Sequence, residues 1–134
     1  MEYPDGFVSG LPNCGVTAIA IATKTPYPYV WEWFASFQKR PASWKGMTCH
    51  SKYLRALYKF GKTRSYECPK SINYGKTLKH WANNIAEKDK TYLVRVTGHA
   101  LVYRNGMCID NIKRAIISCH WTKGKKVKNA WVVM

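Results

Sequence analysis

The segment PNCGVTAIAIATK, residues 12–24, places Cys14 where a helical run begins. At the first turn of a helix, unpaired backbone N–H groups and the positive end of the dipole favour thiolate over thiol, and the thiolate is the nucleophile. The same N–H groups suit an oxyanion. The position therefore fits acyl transfer, in which sulfur attacks a carbonyl carbon and charge collects on its oxygen. The competing account is a small buried hydrophobe, the commoner role of an isolated cysteine.

A nucleophilic thiol needs a base. VTGHALVYRNGMCIDN, residues 96–111, supplies His99 directly after a glycine at the start of a predicted strand. The alternative for such a histidine is capping of a backbone group at the strand end. His50 and His80, in predicted helices among lysines, and His120, in a predicted strand near KGKKVK, are its rivals.

If Asn105 and Gly106 form a two-residue hairpin turn, directly opposed positions sum to 211. Leu101 then faces Asp110, and His99 faces Ile112. His99 and Asp110 become diagonal neighbours on one face, roughly 7 to 8 Å apart along the backbone and within reach of an imidazole and a carboxylate. Asn111 projects from the opposite side, so parity selects Asp110 as the orienting group; a bulge would reverse the choice. Asp110 is one of seven acids and sits in the apolar stretch MCID, where a buried carboxylate requires a partner. It either pairs with one of the many lysines or fixes the tautomer of His99 so that the other nitrogen faces the thiol.

These side chains need a scaffold. The first helix is expected from Cys14 to about Thr23, ending before the prolines of KTPYPY, and a second from about Tyr29 to Lys39 with Val30, Trp33, Phe34 and Phe37 on one face. SKYLRALYKFG, residues 51–61, reads as a third, and KTLKHWANNIAEK, residues 76–88, as a fourth; KTRSYECPKSINYG between them reads as loop. After Lys90 the segments TYLVRV, ALVYR, MCID, AIISCHW and AWVVM are short, β-branched and aromatic, the texture of strands. The expectation is an α+β fold, N-terminal helices packed on a C-terminal antiparallel sheet, in a single domain over residues 1–134. With 46% hydrophobic residues, 14% of the chain aromatic, the sequence has enough apolar side chain to fill one core.

Order of elements and motifs together resemble the papain-like cysteine peptidase superfamily: NCG opening the first helix, then GHALVYRNGMCID in the sheet. The likeness is to its smaller members, bacteriocin-processing peptidases and compact proteins carried by bacteriophages. It implies a peptide or protein substrate, with Cys14 as nucleophile, His99 as general base and then acid, and Asp110 orienting His99. One expected group is missing. The family commonly carries an oxyanion-donating glutamine about six residues before its cysteine, where this chain has Val8; its sole glutamine is Gln38. Either the backbone N–H of Cys14 acts with another donor, Asn13 or Ser9, or the scaffold survives with weakened catalysis.

Twenty-two Lys and Arg against seven Asp and Glu give a formal charge of +15, a field that attracts nucleic acid or an acidic protein partner. The rival to an enzyme is thus a catalytically weak or inactive scaffold that binds such a polyanion. Lys39, Arg40, Trp44 and Lys45 in KRPASWKG combine charge with an aromatic in a loop, and Lys123, Lys125, Lys126 and Lys128 cluster in TKGKKVKN, read as a solvated turn able to contact phosphates. Most other aromatics have helical spacing and are expected in the core.

The five cysteines are odd in number and irregularly spaced, and TCH and SCH lack metal-ligand spacing, so reduced thiols and no metal or organic cofactor are expected. With no signal-like N-terminus and no run of about 18 apolar residues, the expected location is the cytoplasm, a host's if the source is viral, without membrane contact.

Overall fold

In the computed structural model, which describes residues 1–134, five helices accompany a six-stranded antiparallel sheet. Helix α1 spans Cys14–Thr23, and every residue from Gly15 to Thr23 is buried. Its Val, Thr and Ile content makes it a poor helix in isolation; burial on all sides holds it instead. Lys24, at φ 55°, ends it in the left-handed conformation. Helix α2 spans Tyr27–Ala35, beginning and ending earlier than its apolar pattern suggests. Pro28 does not interrupt it: in the first turn, where an N–H has no intrahelical acceptor, proline costs nothing.

Helix α3, Tyr53–Lys59, follows a 3-10 turn at His50–Lys52, so the expected third helix divides into two elements. The stretch read as loop holds strand β1, Tyr66–Glu67, and a single turn of helix α4, Lys70–Asn73. Helix α5, Leu78–Asn84, starts at Thr77, whose hydroxyl accepts from the His80 N–H.

Strands β2, Thr91–Val96, β3, His99–Arg104, β4, Met107–Ile109, β5, Arg114–Ile116, and β6, Val127–Val133, complete the sheet in the order β1-β6-β2-β3-β4-β5. The expected strand through AIISCHW stops at Ile116, so His120 lies in a turn and not in a strand. Between β3 and β4, Asn105 (φ 44°) and Gly106 (φ 85°) form the tight turn, and the register Val102↔Ile109, Tyr103↔Cys108, Arg104↔Met107 is the one expected from it.

The sheet is covered on both faces. Ala100, Val102, Leu93, Ile109 and Trp131 pack against α1, α2 and α3, whereas Leu101, Tyr103, Val94, Cys108 and Val132 pack around Trp81 and Leu78 of α5. Double coverage explains why the central strands read as continuous apolar runs without polar alternation. No helix is long and apolar enough to cross a membrane.

Candidate active site

Helix α1 and the β3–β4 hairpin meet at one end of the sheet. Gly15 lets the start of α1 seat against α3 and the segment before it: a Cβ there would fall 2.0 Å from the Thr48 hydroxyl and 2.4 Å from that of Tyr53. On the strand side, the two-residue turn Thr97–Gly98 sets His99 opposite Val96 at the start of β3. By alternation His99 shares a face with Leu101 and Tyr103. Cys14, Tyr53, Arg95, His99 and Asn111 border a common cavity of about 570 Å³.

Asp110 is fully buried just past β4 and is saturated with donors. Its Oδ2 accepts from His99 Nε2 at 2.7 Å and from the Trp121 indole N–H at 2.8 Å; its Oδ1 accepts the N–H groups of Ile112 and Lys113, both at 2.8 Å. His120 Nε2 lies 3.3 Å from Oδ2 without hydrogen-bond alignment. His120 Nδ1 lies 2.7 Å from the Thr122 hydroxyl and accepts the Thr122 N–H at 3.3 Å. Burial alone would raise the Asp110 pKa; the His120 and His99 rings and the two backbone donors reverse this and hold it well below the usual carboxylate range.

With Nε2 engaged by Asp110, the other ring nitrogen of His99 is left for the thiol. Burial works against charge on His99, but hydrogen bonds with Asp110 and Cys14 raise its pKa to about 9. Burial likewise opposes the Cys14 thiolate; the hydrogen bond and charge of His99, aided by the N–H groups of Ala100 and Gly15, bring the thiol below its ordinary value. Each group thus favours the charged form of the other, the imidazolium of His99 and the thiolate of Cys14. Cys68 and Cys108, buried among apolar side chains, move the other way, to about 11 and about 12. Cys49 is exposed and lowered by its hydrogen bond with Ser51.

The first turn of α1 has no side-chain cap, leaving its leading N–H groups beside the sulfur. Neither suggested side-chain donor is available to a substrate oxyanion. Asn13 is wholly buried, and its amide donates to the Val8 carbonyl at 2.8 Å and to the Tyr27 hydroxyl at 2.6 Å while its Oδ1 accepts from Asn111 at 3.1 Å. It ties the N-terminal loop to α2 and the β4–β5 turn. Ser9 is exposed and outside the cavity wall.

Asn111 is thus a structural tie, donating also to the Leu11 carbonyl at 3.2 Å. Three contributors escaped the sequence reading as parts of the site. Trp121 lies against the His99 ring, centroids 4.7 Å apart and planes inclined at 59°, while donating to Asp110. His120 was weighed only as a rival base, although its adjacency to Trp121 was a usable signal. Arg95 was hidden in the strand TYLVRV, where a single charge in an apolar run was the clue. His50 and His80 are exposed; His50 borders the same cavity as Cys14, and His99 is the histidine there that is hydrogen-bonded to Asp110.

Among the proposed anion contacts, Lys39, Arg40, Lys45, Lys123, Lys126 and Lys128 are exposed. Lys125 is half-buried, its Nζ donating to the Thr97 carbonyl and lying 5.4 Å from the Trp121 ring centre. Trp44 is not an open stacking platform: it packs on Trp31 at 4.6 Å and donates to the Met47 carbonyl. The segment at 122–129 is only partly a turn, since β6 begins at Val127. No three His, Cys, Asp or Glu side chains gather as a metal-holding set.

Comparison with models of protein families, with characterised proteins and with solved structures gave no match.

Proposed function

We propose that this protein is a papain-like cysteine hydrolase of amide or peptide bonds, with Cys14 as nucleophile, His99 as proton carrier and Asp110 as the group that orients His99. The observation that carries the reading is the convergence of a partly exposed thiol at a helix start and His99 on one cavity, with His99 hydrogen-bonded to a buried carboxylate. Helices that carry the thiol followed by a sheet that carries the imidazole and carboxylate add support for the papain-like assignment.

In the reaction, the Cys14 thiolate attacks the substrate carbonyl carbon, and the oxyanion is met by the N–H groups at the start of α1. His99 gives its proton to the departing amine as the C–N bond breaks, leaving a thioester. The neutral ring then takes a proton from water, the hydroxide displaces sulfur, and the acid product leaves with Cys14 and His99 restored as the ion pair. Asp110 stays ionised throughout and holds the ring.

Treatment with iodoacetamide at neutral pH, followed by mass spectrometry of each cysteine, tests this. Cys49 is also exposed and activated, so the decisive comparison is the variant: His99→Ala should slow Cys14 alkylation at least tenfold and leave Cys49 unaffected. Equal rates at Cys14 with and without the imidazole overturn the reading and leave the basic binding scaffold in its place.

A further inference from the structure

Arg95 projects from β2 on the same face as Leu93, toward the helices. It is paired directly with Ala100, the residue whose N–H reaches the Cys14 sulfur. The β2–β6 register shifts at this point, Arg95 facing Asn129 and Val96 facing Val127, so Lys128 is the extra residue of a bulge. Bulges re-aim side chains, and this one lies beside the cavity. The Arg95 Nε donates to Asn129 Oδ1 at 2.6 Å, which fixes the guanidinium plane. No carboxylate lies within ion-pair distance; the nearest linked acid, Glu67, is reached only through the Asn129 amide at 3.4 Å.

A guanidinium on a cavity wall with no counter-charge beside it draws an anion into that cavity. Its remaining N–H donors form a rigid fork matched to a planar anion. The cavity wall that holds Arg95, Cys14 and His99 contains no Asp or Glu. We infer that Arg95 is the selectivity residue of this cavity and binds a carboxylate of the substrate next to the bond presented to Cys14. The inference rests on the hydrolase reading and adds the substrate class to it: peptides or amides with an acidic group flanking the scissile bond.

Iodoacetate and iodoacetamide differ by a carboxylate, so the ratio of their rates at one thiol measures local carboxylate preference. At Cys14 the iodoacetate-to-iodoacetamide ratio should exceed that at the exposed Cys119 by about tenfold, the scale of one charge-assisted hydrogen bond, and Arg95→Gln should remove most of the excess. Arg95→Lys, which keeps the charge but not the fork, should retain part of it. In the wild-type protein, N-acetylglutamine (free α-carboxylate) and N-acetylglutamic acid α-amide (side-chain carboxylate) should slow Cys14 alkylation where the neutral N-acetylglutamine amide does not, and the stronger of the two identifies which carboxylate is bound. An unchanged ratio in Arg95→Gln, or equal protection by charged and neutral compounds, overturns the inference. Failure of the hydrolase reading looks different, as iodoacetamide reactivity of Cys14 indifferent to His99→Ala.

Discussion

Asp110 shows how one buried charge can be made stable and useful together. Four well-aligned donors converge on its two oxygens, one of them the His99 imidazole. Asp110→Ala would strand the Trp121 indole and two backbone N–H groups, and losses of about 3 to 5 kcal/mol accompany the breaking of such buried pairs. Urea denaturation should register that loss, and NMR of His99 should show its pKa falling from about 9 toward 6.5. The pH dependence follows from the same groups. Because the Cys14 pKa is lowered, its alkylation should set in at lower pH than at a free thiol, about 8.5. Hydrolysis should fall again as pH rises through about 9, where His99 loses the proton required by the leaving amine. The stability that the raised His99 pKa contributes is complete below 6.5 and fades through about 9, so the gap between wild type and His99→Ala should narrow in alkali. Asp110, shifted downward, acts in the opposite sense: its contribution is present above 3.8 and declines on acidification.

At the scale of elements, the close seat of α1 makes Gly15 a sharp test. Alanine in a helix interior gains about 1 kcal/mol over glycine, but here its Cβ would overlap two hydroxyls. Overpacking costs about 1 to 3 kcal/mol and should prevail, so Gly15→Ala should lower the urea midpoint and slow Cys14 alkylation as the helix start is pushed away from α3. The legible elements are those with local causes. Helix α1 lies where its apolar run and the following prolines set it, and the Asn105–Gly106 turn fixed the parity that joined His99 to Asp110 rather than Asn111. Strand β1 was illegible because its two residues are extended only through pairing with β6, more than sixty positions away. Asn13 looked like a donor to substrate because of its neighbour Cys14; its actual partners, Val8, Tyr27 and Asn111, are set by tertiary packing that spacing does not encode.

Across the whole molecule, positive charge is barely neutralised. Lys90 and Glu87 make the one ion pair between a lysine or arginine and a carboxylate, on a chain of net charge +15. Self-repulsion of this kind opposes the folded state and is screened by salt, with a Debye length of about 10 Å at 0.1 M. Raising sodium chloride from low to moderate concentration should therefore raise the urea midpoint, while single-stranded DNA held by the exposed lysines should dissociate over the same range. A midpoint indifferent to salt would mean that the cations lie too far apart to matter. Reactivity at Cys14 responds to a nearer charge, that of His99, and should change less.

The sulfur and its base reside in different layers, separated by eighty-five positions along the chain and joined only when α1 docks on β3. Until that docking is finished Cys14 has no imidazole near it, since no histidine lies within thirty positions of it along the chain. The pairing of Cys14 with His99 is accordingly a product of tertiary structure alone, so urea denaturation should return Cys14 to the reactivity of an ordinary thiol.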